Sequence, residues 1–303
     1  MRTILIICIT LAVGLTGTGC TARRAGSGDN GRVRVTAAFY PLAEAAQRVG
    51  GELVDVTDLT APGVEPHDLE LTPDQLGSIE TANVVLYLGG GFQPAVQDAI
   101  RDATGETVDV SDSIRSMPVP RGESANGLQA DPHVWLDPVL FEQIVRETQA
   151  ALERVDPQGS SSFQAGADAF VSELSDLDAR YRQELSSCRR TLIVTSHAAF
   201  GYLARRYGLR QEPIAGLSPD VEPDPRRLAQ LNDLVEADGV TTIFTEELLS
   251  PKVAQTLAQE TGATTAVLDP LESLTPDEVA AGADYGSIMR RNLQTLEVAL
   301  GCA

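Results

Sequence analysis

The three histidines of the chain are its best candidates for binding a transition metal, and each lies in a distinctive local sequence. His67 lies in Pro-His-Asp-Leu-Glu, His133 in Asp-Pro-His-Val-Trp-Leu-Asp-Pro, and His197 in Thr-Ser-His-Ala-Ala-Phe-Gly-Tyr-Leu. Asp269, in Leu-Asp-Pro-Leu, is a fourth candidate. Imidazole nitrogens and carboxylate oxygens are the usual protein ligands of zinc besides cysteine sulfur. The four residues therefore suggest a metal site made of three histidines and one carboxylate.

Each candidate ligand lies where two predicted elements of secondary structure meet. His67 lies between a strand and a helix, and His133 directly precedes a helix. His197 and Asp269 directly follow strands. Ligands of open α/β sheets bind at the carboxyl ends of the strands, so these positions suit a site. A single loop histidine is more often a surface residue or a helix cap, and an aspartate before proline is also a common turn residue. The local patterns leave both interpretations open.

Apolar strands and amphipathic helices alternate along most of the chain. The predicted strands are 33–39, 53–59, 83–88, 107–110, 191–195, 241–245 and 265–268. The predicted helices are 41–49, 72–81, 92–104, 138–155, 160–185, 198–207, 224–236, 251–261 and 285–300. Such alternation predicts an α/β fold with parallel sheets covered by helices.

The helix predicted over residues 160–185 is long enough to connect two lobes. At 1.5 Å per residue it would extend about 35–40 Å, which is as long as a domain is wide. We therefore predict two similar parallel-sheet α/β lobes, over 33–159 and 188–303, bridged by one long helix within 160–187.

The N-terminus has the pattern of a secretory signal peptide over residues 1–19. A short basic start precedes an apolar run from Ile4 to Leu15, and small residues lead to Cys20. The run is too short for a permanent membrane span. Cys20 stands where a bacterial lipoprotein carries its lipid, although Gly17 occupies a position that is usually leucine. The alternative is plain secretion with cleavage near Gly19.

Residues 20–32, rich in glycine, serine and arginine, are predicted to be a flexible tether. With the lipid on Cys20, this tether would anchor the protein to the outer face of the cell membrane. No later apolar run is long enough for a transmembrane helix. The formal net charge of −20 argues against nucleic acid as a partner.

Cysteine usage fits an oxidising compartment. Cys8 would leave with the signal peptide and Cys20 would carry the lipid, which leaves Cys188 and Cys302 as a pair. Outside the cytoplasm we expect these two to form a disulfide. Two free buried thiols are the alternative.

The segments around the four candidate ligands resemble, in order, the metal-ligand segments of the zinc- and manganese-binding lipoproteins of ABC uptake systems. The resemblance extends from Val33 to Leu300, and two further segments, at 216–223 and at 243–246, also look like family segments. It implies that His67, His133, His197 and Asp269 bind the metal in the cleft between two lobes joined by one rigid helix. It also implies a monomer that is not an enzyme and whose partner is an ABC transporter permease in the membrane.

Zinc is the expected metal and manganese, alone or together with zinc, is the alternative. Members of this family dedicated to manganese commonly have a carboxylate at the position of His197. Imidazole suits zinc, whereas oxygen donors suit manganese. Side chains that could orient the ligands are Asp68, Asp131, Ser196 and Glu222, none of which can be assigned from the sequence.

The resemblance implies that the protein captures zinc and delivers it to the permease, and a zinc hydrolase and a surface adhesin are the alternatives. A zinc hydrolase would need an open coordination position, which Asp269 as a fourth ligand would close. The sequence also contains neither a His-Glu-x-x-His helix nor an evident nucleophile elbow. A surface adhesin would need no metal delivery, but the sequence has no separate adhesive module.

Overall fold

The computed structural model describes residues 31–112, 114, 117–119, 127–219 and 223–303. Residues Arg32–Ala303 form one compact unit. The predicted signal peptide, Cys20 and most of the predicted tether lie outside the described residues. None of the helices in the described part is both long and apolar enough to cross a membrane.

The first lobe is a parallel sheet covered by helices. Its strands are β1 (Val33–Ala37), β2 (Val54–Asp58), β3 (Val84–Tyr87) and β4 (Glu106–Asp109), in the order β2-β1-β3-β4. Its helices are α1 (Tyr40–Gly50), α2 (Pro73–Thr81), α3 (Pro94–Ala99) and α4 (Pro138–Val155). The first three residues of β3 are at most 1% exposed, as expected for a central parallel strand with helices on both faces.

The second lobe repeats this topology. Its strands are β5 (Leu192–Thr195), β6 (Arg210–Pro213), β7 (Thr242–Thr245) and β8 (Thr264–Val267), in the order β6-β5-β7-β8, again all parallel. Its helices are α6 (Gly201–Tyr207), α7 (Pro225–Ala237), α8 (Lys252–Thr261), α9 (Pro276–Ala280) and α10 (Tyr285–Leu300). In both lobes the direction of strand addition reverses beside the first strand, where open α/β sheets bind their ligands.

One long helix, α5 (Ser160–Glu184), links the lobes. Its 25 residues span about 37 Å. Its buried side chains recur every three or four residues and are Phe163, Ala167, Phe170, Leu174, Leu177 and Tyr181. This face packs against α1 and α4 of the first lobe and α10 of the second. The predicted fold class, two parallel-sheet α/β lobes with a helical connection, is confirmed.

Local sequence signals explain where the helices around the site begin. Thr72 caps α2 by accepting a hydrogen bond from the backbone of Gln75, whose side chain in turn caps Thr72. Asp137 caps α4, and Pro138 occupies its first turn. A capping side chain satisfies backbone donors that have no partner within the helix, so both starts are firmly set.

Four elements differ from the sequence prediction. The helix predicted over 198–207 begins as a 3₁₀ turn over Ala198–Phe200 and becomes α6 only at Gly201. The helix predicted over 92–104 is shorter, because α3 ends at Ala99 and continues as a 3₁₀ turn over Ile100–Asp102. Strand β6 was not predicted, because its sequence, Arg-Gln-Glu-Pro, lacks an apolar pattern. It lies at the edge of its sheet, where polar residues are tolerated. Helix α9 was also missed, since it has only five residues.

Cys188 and Cys302 form the predicted disulfide, with Cα atoms 3.8 Å apart. The bond joins the chain just after α5 to the C-terminus just after α10, and the two segments are also paired by the hydrogen bond from the Arg190 nitrogen to the Leu300 carbonyl (3.1 Å). The prediction of a disulfide is confirmed.

Candidate metal site

The three histidines converge on one carboxylate, that of Glu272. Its Oε1 atom lies 3.3 Å from Nε2 of His67, 3.1 Å from Nε2 of His133 and 3.2 Å from Nε2 of His197. The Nε2 atoms of His133 and His197 are 3.3 Å apart. One donor atom from each of the four residues lies within 4.8 Å of all the others. Four protein donors this close together equal the number that a structural zinc site takes.

Each lobe supplies two of these four residues. His67 lies in the loop between β2 and α2, and His133 lies in the segment before α4. His197 directly follows β5, and Glu272 lies in the loop between β8 and α9. The cluster therefore lies between the lobes, at the carboxyl ends of strands, where the sequence predicted it.

Asp269 does not join the cluster but shapes the loop that carries Glu272. One of its oxygens accepts a hydrogen bond from the Leu271 nitrogen (2.7 Å), and the other lies 3.3 Å from the Arg291 guanidinium. The side chain of Asn292 holds the backbone of Asp269. Its Oδ1 accepts from the Asp269 nitrogen (2.9 Å), and its Nδ2 donates to the Asp269 carbonyl (2.7 Å).

Leu271, next in the same loop, adopts the left-handed conformation with φ 57°, which is rare for a residue other than glycine. Glu272 follows directly, and its carboxylate lies beside the histidines. The structure thus brings together three of the four predicted ligands and places Glu272 where Asp269 was expected. The sequence signal for Glu272 was only a second carboxylate three residues after the first.

Two further carboxylates fix the orientation of two imidazole rings. Nδ1 of His133 lies 2.8 Å from Oδ1 of Asp131, and Nδ1 of His197 lies 2.8 Å from Oε1 of Glu246. The same oxygens accept the backbone N–H of His133 (3.0 Å) and of His197 (3.2 Å). A carboxylate on Nδ1 leaves Nε2 free to face a metal, and it makes the imidazole a stronger ligand.

Only one of the four orienting residues considered from the sequence, Asp131, has this role in the described residues. Asp68 is exposed, and the Ser196 hydroxyl donates to the Phe244 carbonyl (3.2 Å). Glu222 lies outside the described residues. Glu246 was missed as an orienting residue because it is 49 positions from His197, so only the pairing of β5 with β7 brings them together.

The cluster is almost completely withdrawn from water. His133 and His197 are 0% exposed and Glu272 is 1% exposed. The side chain of His67 is 5% exposed. Burial lowers the pKa of His67, so this imidazole is held neutral.

The other members of the cluster have pKa values set by their partners. Burial opposes protonation of His197, but the Glu246 and Glu272 carboxylates outweigh it and raise its pKa well above the usual value. For His133, burial is likewise outweighed by the hydrogen bonds to Asp131 and Glu272, and the pKa is raised. Burial would raise the pKa of Glu272, but the charge of His197 and the hydrogen bonds to His133 and His197 hold it well below the usual value. The ionised form of Glu272 and the protonated form of His197 therefore favour each other.

Glu65 adds another carboxyl group beside the cluster. One of its oxygens accepts the backbone N–H of His67 (3.3 Å). Burial and the neighbouring Glu272 charge raise the pKa of Glu65 to about 9. It is therefore neutral at neutral pH and does not compete with Glu272 for the imidazolium charge.

Aromatic side chains hold the histidines in place. The ring of Phe92 packs edge-on against His67, with centroids 4.8 Å apart, and the ring of Trp135 lies 5.3 Å from His133. Trp135 donates to the Pro270 carbonyl (2.8 Å) and its own carbonyl accepts from the Tyr285 hydroxyl (2.7 Å). These hydrogen bonds connect the first lobe to the Glu272 loop and to α10, so the residues beside the cluster are held from both lobes.

Comparison with known proteins identifies one family. The sequence of residues 35–299 matches the family described as "Zinc-uptake complex component A periplasmic". Among individual proteins, the chain is 35% identical over 280 residues to the high-affinity zinc uptake system protein ZnuA of Bacillus subtilis, covering 89% of this chain and 88% of that protein.

Two further similarities are to proteins of Streptococcus pneumoniae. The zinc-binding lipoprotein AdcA is 34% identical over 279 residues, which cover 88% of this chain and 56% of AdcA, so the chain spans little more than half of that relative. The crystal structure of Zn(II)-bound AdcA superposes with a TM-score of 0.77 at 34% identity, covering 89% of this chain and 58% of AdcA.

Proposed function

Because the chain belongs to the family of periplasmic zinc-uptake components, we propose that it captures Zn²⁺ outside the cytoplasm and delivers it to the permease of an ABC importer. The observation that carries this proposal is the convergence of three imidazole Nε2 atoms and the Glu272 carboxylate between the two lobes. The B. subtilis relative named as a zinc uptake protein, which the chain matches along most of both lengths, supports the same function.

The proposed ligands are His67, His133, His197 and Glu272. Their imidazole and carboxylate donors suit zinc, and three nitrogen donors favour zinc over manganese, which prefers oxygen. Asp269 is assigned the separate role of shaping the Glu272 loop, since its oxygens are engaged by Leu271 and Arg291.

We propose a binding protein rather than a hydrolase. Four protein donors complete the coordination of a tetrahedral zinc ion, whereas a catalytic zinc keeps one position for water. The almost complete burial of the cluster also argues against a bound substrate at the metal. Release of the ion then requires the donors to separate, which suits delivery to a partner.

Attachment to the membrane through lipid on Cys20 remains part of the proposal. It rests on the pattern of residues 1–20 and is supported by the name of the S. pneumoniae relative, a zinc-binding lipoprotein. With the lipid on Cys20, the proposed tether would hold a monomer near the permease. Mass spectrometry of the protein purified from membranes should find the N-terminal cysteine carrying acyl chains. An unmodified N-terminus beginning elsewhere would contradict this part.

Competition binding tests the metal and its ligands together. We expect zinc to displace manganese completely from the purified protein at neutral pH. Glu272→Gln should weaken zinc binding by more than about 100-fold, since it removes a ligand rather than an outer contact. Asp269→Asn is the matched control, because it keeps an oxygen for the Leu271 N–H and should change zinc affinity far less. The opposite order of the two variants would assign the ligand to Asp269, and tighter manganese binding would overturn the choice of zinc.

Growth under zinc limitation tests delivery. A strain lacking the gene should need more zinc in the medium, and the unaltered gene should restore growth whereas the Glu272→Gln gene should not. Normal zinc accumulation in the deletion strain would contradict a role in uptake and would favour the adhesin alternative.

A further inference from the structure

Gly201, the first residue of α6 in the second lobe, faces Asp131 of the first lobe. A Cβ atom placed on Gly201 would lie 2.9 Å from Oδ2 of Asp131, which is closer than real Cβ contacts. The next nearest atoms, Cε of Met117 at 3.6 Å and Oε1 of Gln211 at 3.8 Å, would be ordinary van der Waals neighbours. Among the described residues, the carboxylate of Asp131 is thus the one group that a side chain at position 201 would displace.

The backbone at Gly201 does not itself require glycine. Its φ of −58° and ψ of −45° are ordinary right-handed helical values. Alanine is the better helix former at such a position, because glycine loses more conformational freedom on folding. Space beside Asp131, rather than backbone conformation, therefore explains the glycine.

Asp131 has little freedom to move away from an added side chain. Its backbone nitrogen donates to the Met117 carbonyl (2.9 Å), and its carbonyl accepts from the Tyr202 hydroxyl (3.0 Å). Asp131 is 4% exposed, and its Oδ1 holds both the backbone N–H and Nδ1 of His133. With the backbone held on both sides, the carboxylate can yield only by rotating, which takes Oδ1 away from the imidazole.

We propose that Gly201 is a positioning residue for the zinc site: its bare Cα leaves room for Asp131 to orient His133. A residue in a helix of the second lobe thereby affects the orientation of the His133 imidazole, which belongs to the first lobe. This inference rests on the proposed function, since it concerns the affinity of the same cluster for zinc.

The experiment measures zinc affinity of the purified protein by competition with a chelator. Gly201→Ala should weaken zinc binding by about 10–100-fold, the range seen when an orienting contact to a metal-bound histidine is lost. Gly77→Ala is the matched control, because Gly77 also lies in a helix and a Cβ there would meet nothing within 4 Å. This control should bind zinc as the unaltered protein does. The visible spectrum of bound Co²⁺ should change in Gly201→Ala and not in Gly77→Ala.

A double-mutant cycle separates positioning from a general packing defect. In an Asp131→Ala background the carboxylate is gone, so Gly201→Ala should have no further effect on zinc affinity. If Gly201→Ala does not fold alone, combining it with Asp131→Ala should restore folding, because the clashing group is removed. Failure of that double variant to fold would overturn the inference.

Two binding outcomes would also overturn the inference. One is a Gly201→Ala protein that binds zinc as tightly as the unaltered protein. The other is an equal loss of affinity from Gly201→Ala with and without the Asp131 carboxylate. If the unaltered protein itself failed to bind zinc, the proposed function would fall and this inference with it. That result differs from a loss or retention of zinc binding that is seen only in the Gly201→Ala variant.

Discussion

At the centre of the proposed site, His133 and His197 differ from His67 in how they are held. A carboxylate contacts Nδ1 of each of the first two, whereas the ring of His67 packs against Phe92. His133 and His197 are thus oriented by charged partners that also favour the protonated form. Protons and a metal ion therefore compete for the same imidazoles.

This competition predicts a strong dependence of zinc affinity on pH. Because the pKa values of His133 and His197 are raised, both bind protons at a higher pH than a free imidazole, whose pKa is about 6.5. Zinc binds the neutral ring, so affinity should fall as pH drops, and the fall should begin above pH of about 6.5. Calorimetry in buffers of different ionisation enthalpy should detect about one or more protons released per zinc at pH of about 7. Zinc binding without proton release at that pH would contradict the raised pKa values.

Local sequence patterns were enough to identify the three histidines of the cluster but not its carboxylate. The three histidines could be found from the sequence because each has a distinctive local setting and no other histidine competes with them. Glu272 could not be chosen over Asp269 in this way. The choice depends on the path of the backbone through Leu271, whose positive φ of 57° no local propensity of leucine favours.

Among the elements, those with strong end signals were predicted to within a residue. Helix α4 follows the Asp137 cap and a proline, and α10 follows the Asp284 cap and is ended by Gly301, which has φ 66°. Strand β6 had no such signals, because its polar sequence becomes a strand only by pairing with β5. Tertiary pairing, rather than local propensity, decides such an edge strand.

The disulfide between the ends of α5 and α10 allows a prediction about stability. The cysteines are separated by 114 positions, and closing a loop of that length strongly reduces the conformational entropy of the unfolded chain. Replacing both with serine should lower the free energy of unfolding by about 4–5 kcal/mol in the chain-entropy estimate. Denaturant unfolding of the metal-free protein measures this loss.

Zinc affinity of the folded Cys188→Ser/Cys302→Ser protein serves as the control. Neither cysteine contacts a proposed ligand, so binding should be unchanged. Thiol titration of the denatured, unreduced protein should find neither cysteine free. Two titratable thiols, or unaltered stability of the double variant, would be inconsistent with the bond.

At the scale of the two lobes, apolar side chains from both belong to one shared hydrophobic cluster among the described residues. Buried residues of β1, α1, α4, α5, α6 and α10 belong to a single cluster, and a smaller second cluster lies within the second lobe. Polar contacts also join the lobes near the site: Gly63 donates to the Leu274 carbonyl (2.8 Å), and Trp135 donates to that of Pro270 (2.8 Å). Wide separation of the lobes would break this core and bend α5, at the expense of its backbone hydrogen bonds.

We therefore expect zinc to cause local rather than global rearrangement. The radius of gyration from solution X-ray scattering should be the same for metal-free and zinc-loaded protein. Hydrogen exchange should slow mainly in the loop between β2 and α2, which carries His67. Residues 61–64 of this loop are exposed, whereas the His67 side chain lies in the buried cluster, so zinc bound to His67 should restrain the loop. The backbone of α5 should exchange equally slowly in both states and provides the internal control. A clear contraction on zinc binding, or zinc-dependent protection along α5, would show that the lobes close about the helix and that the shared core opens.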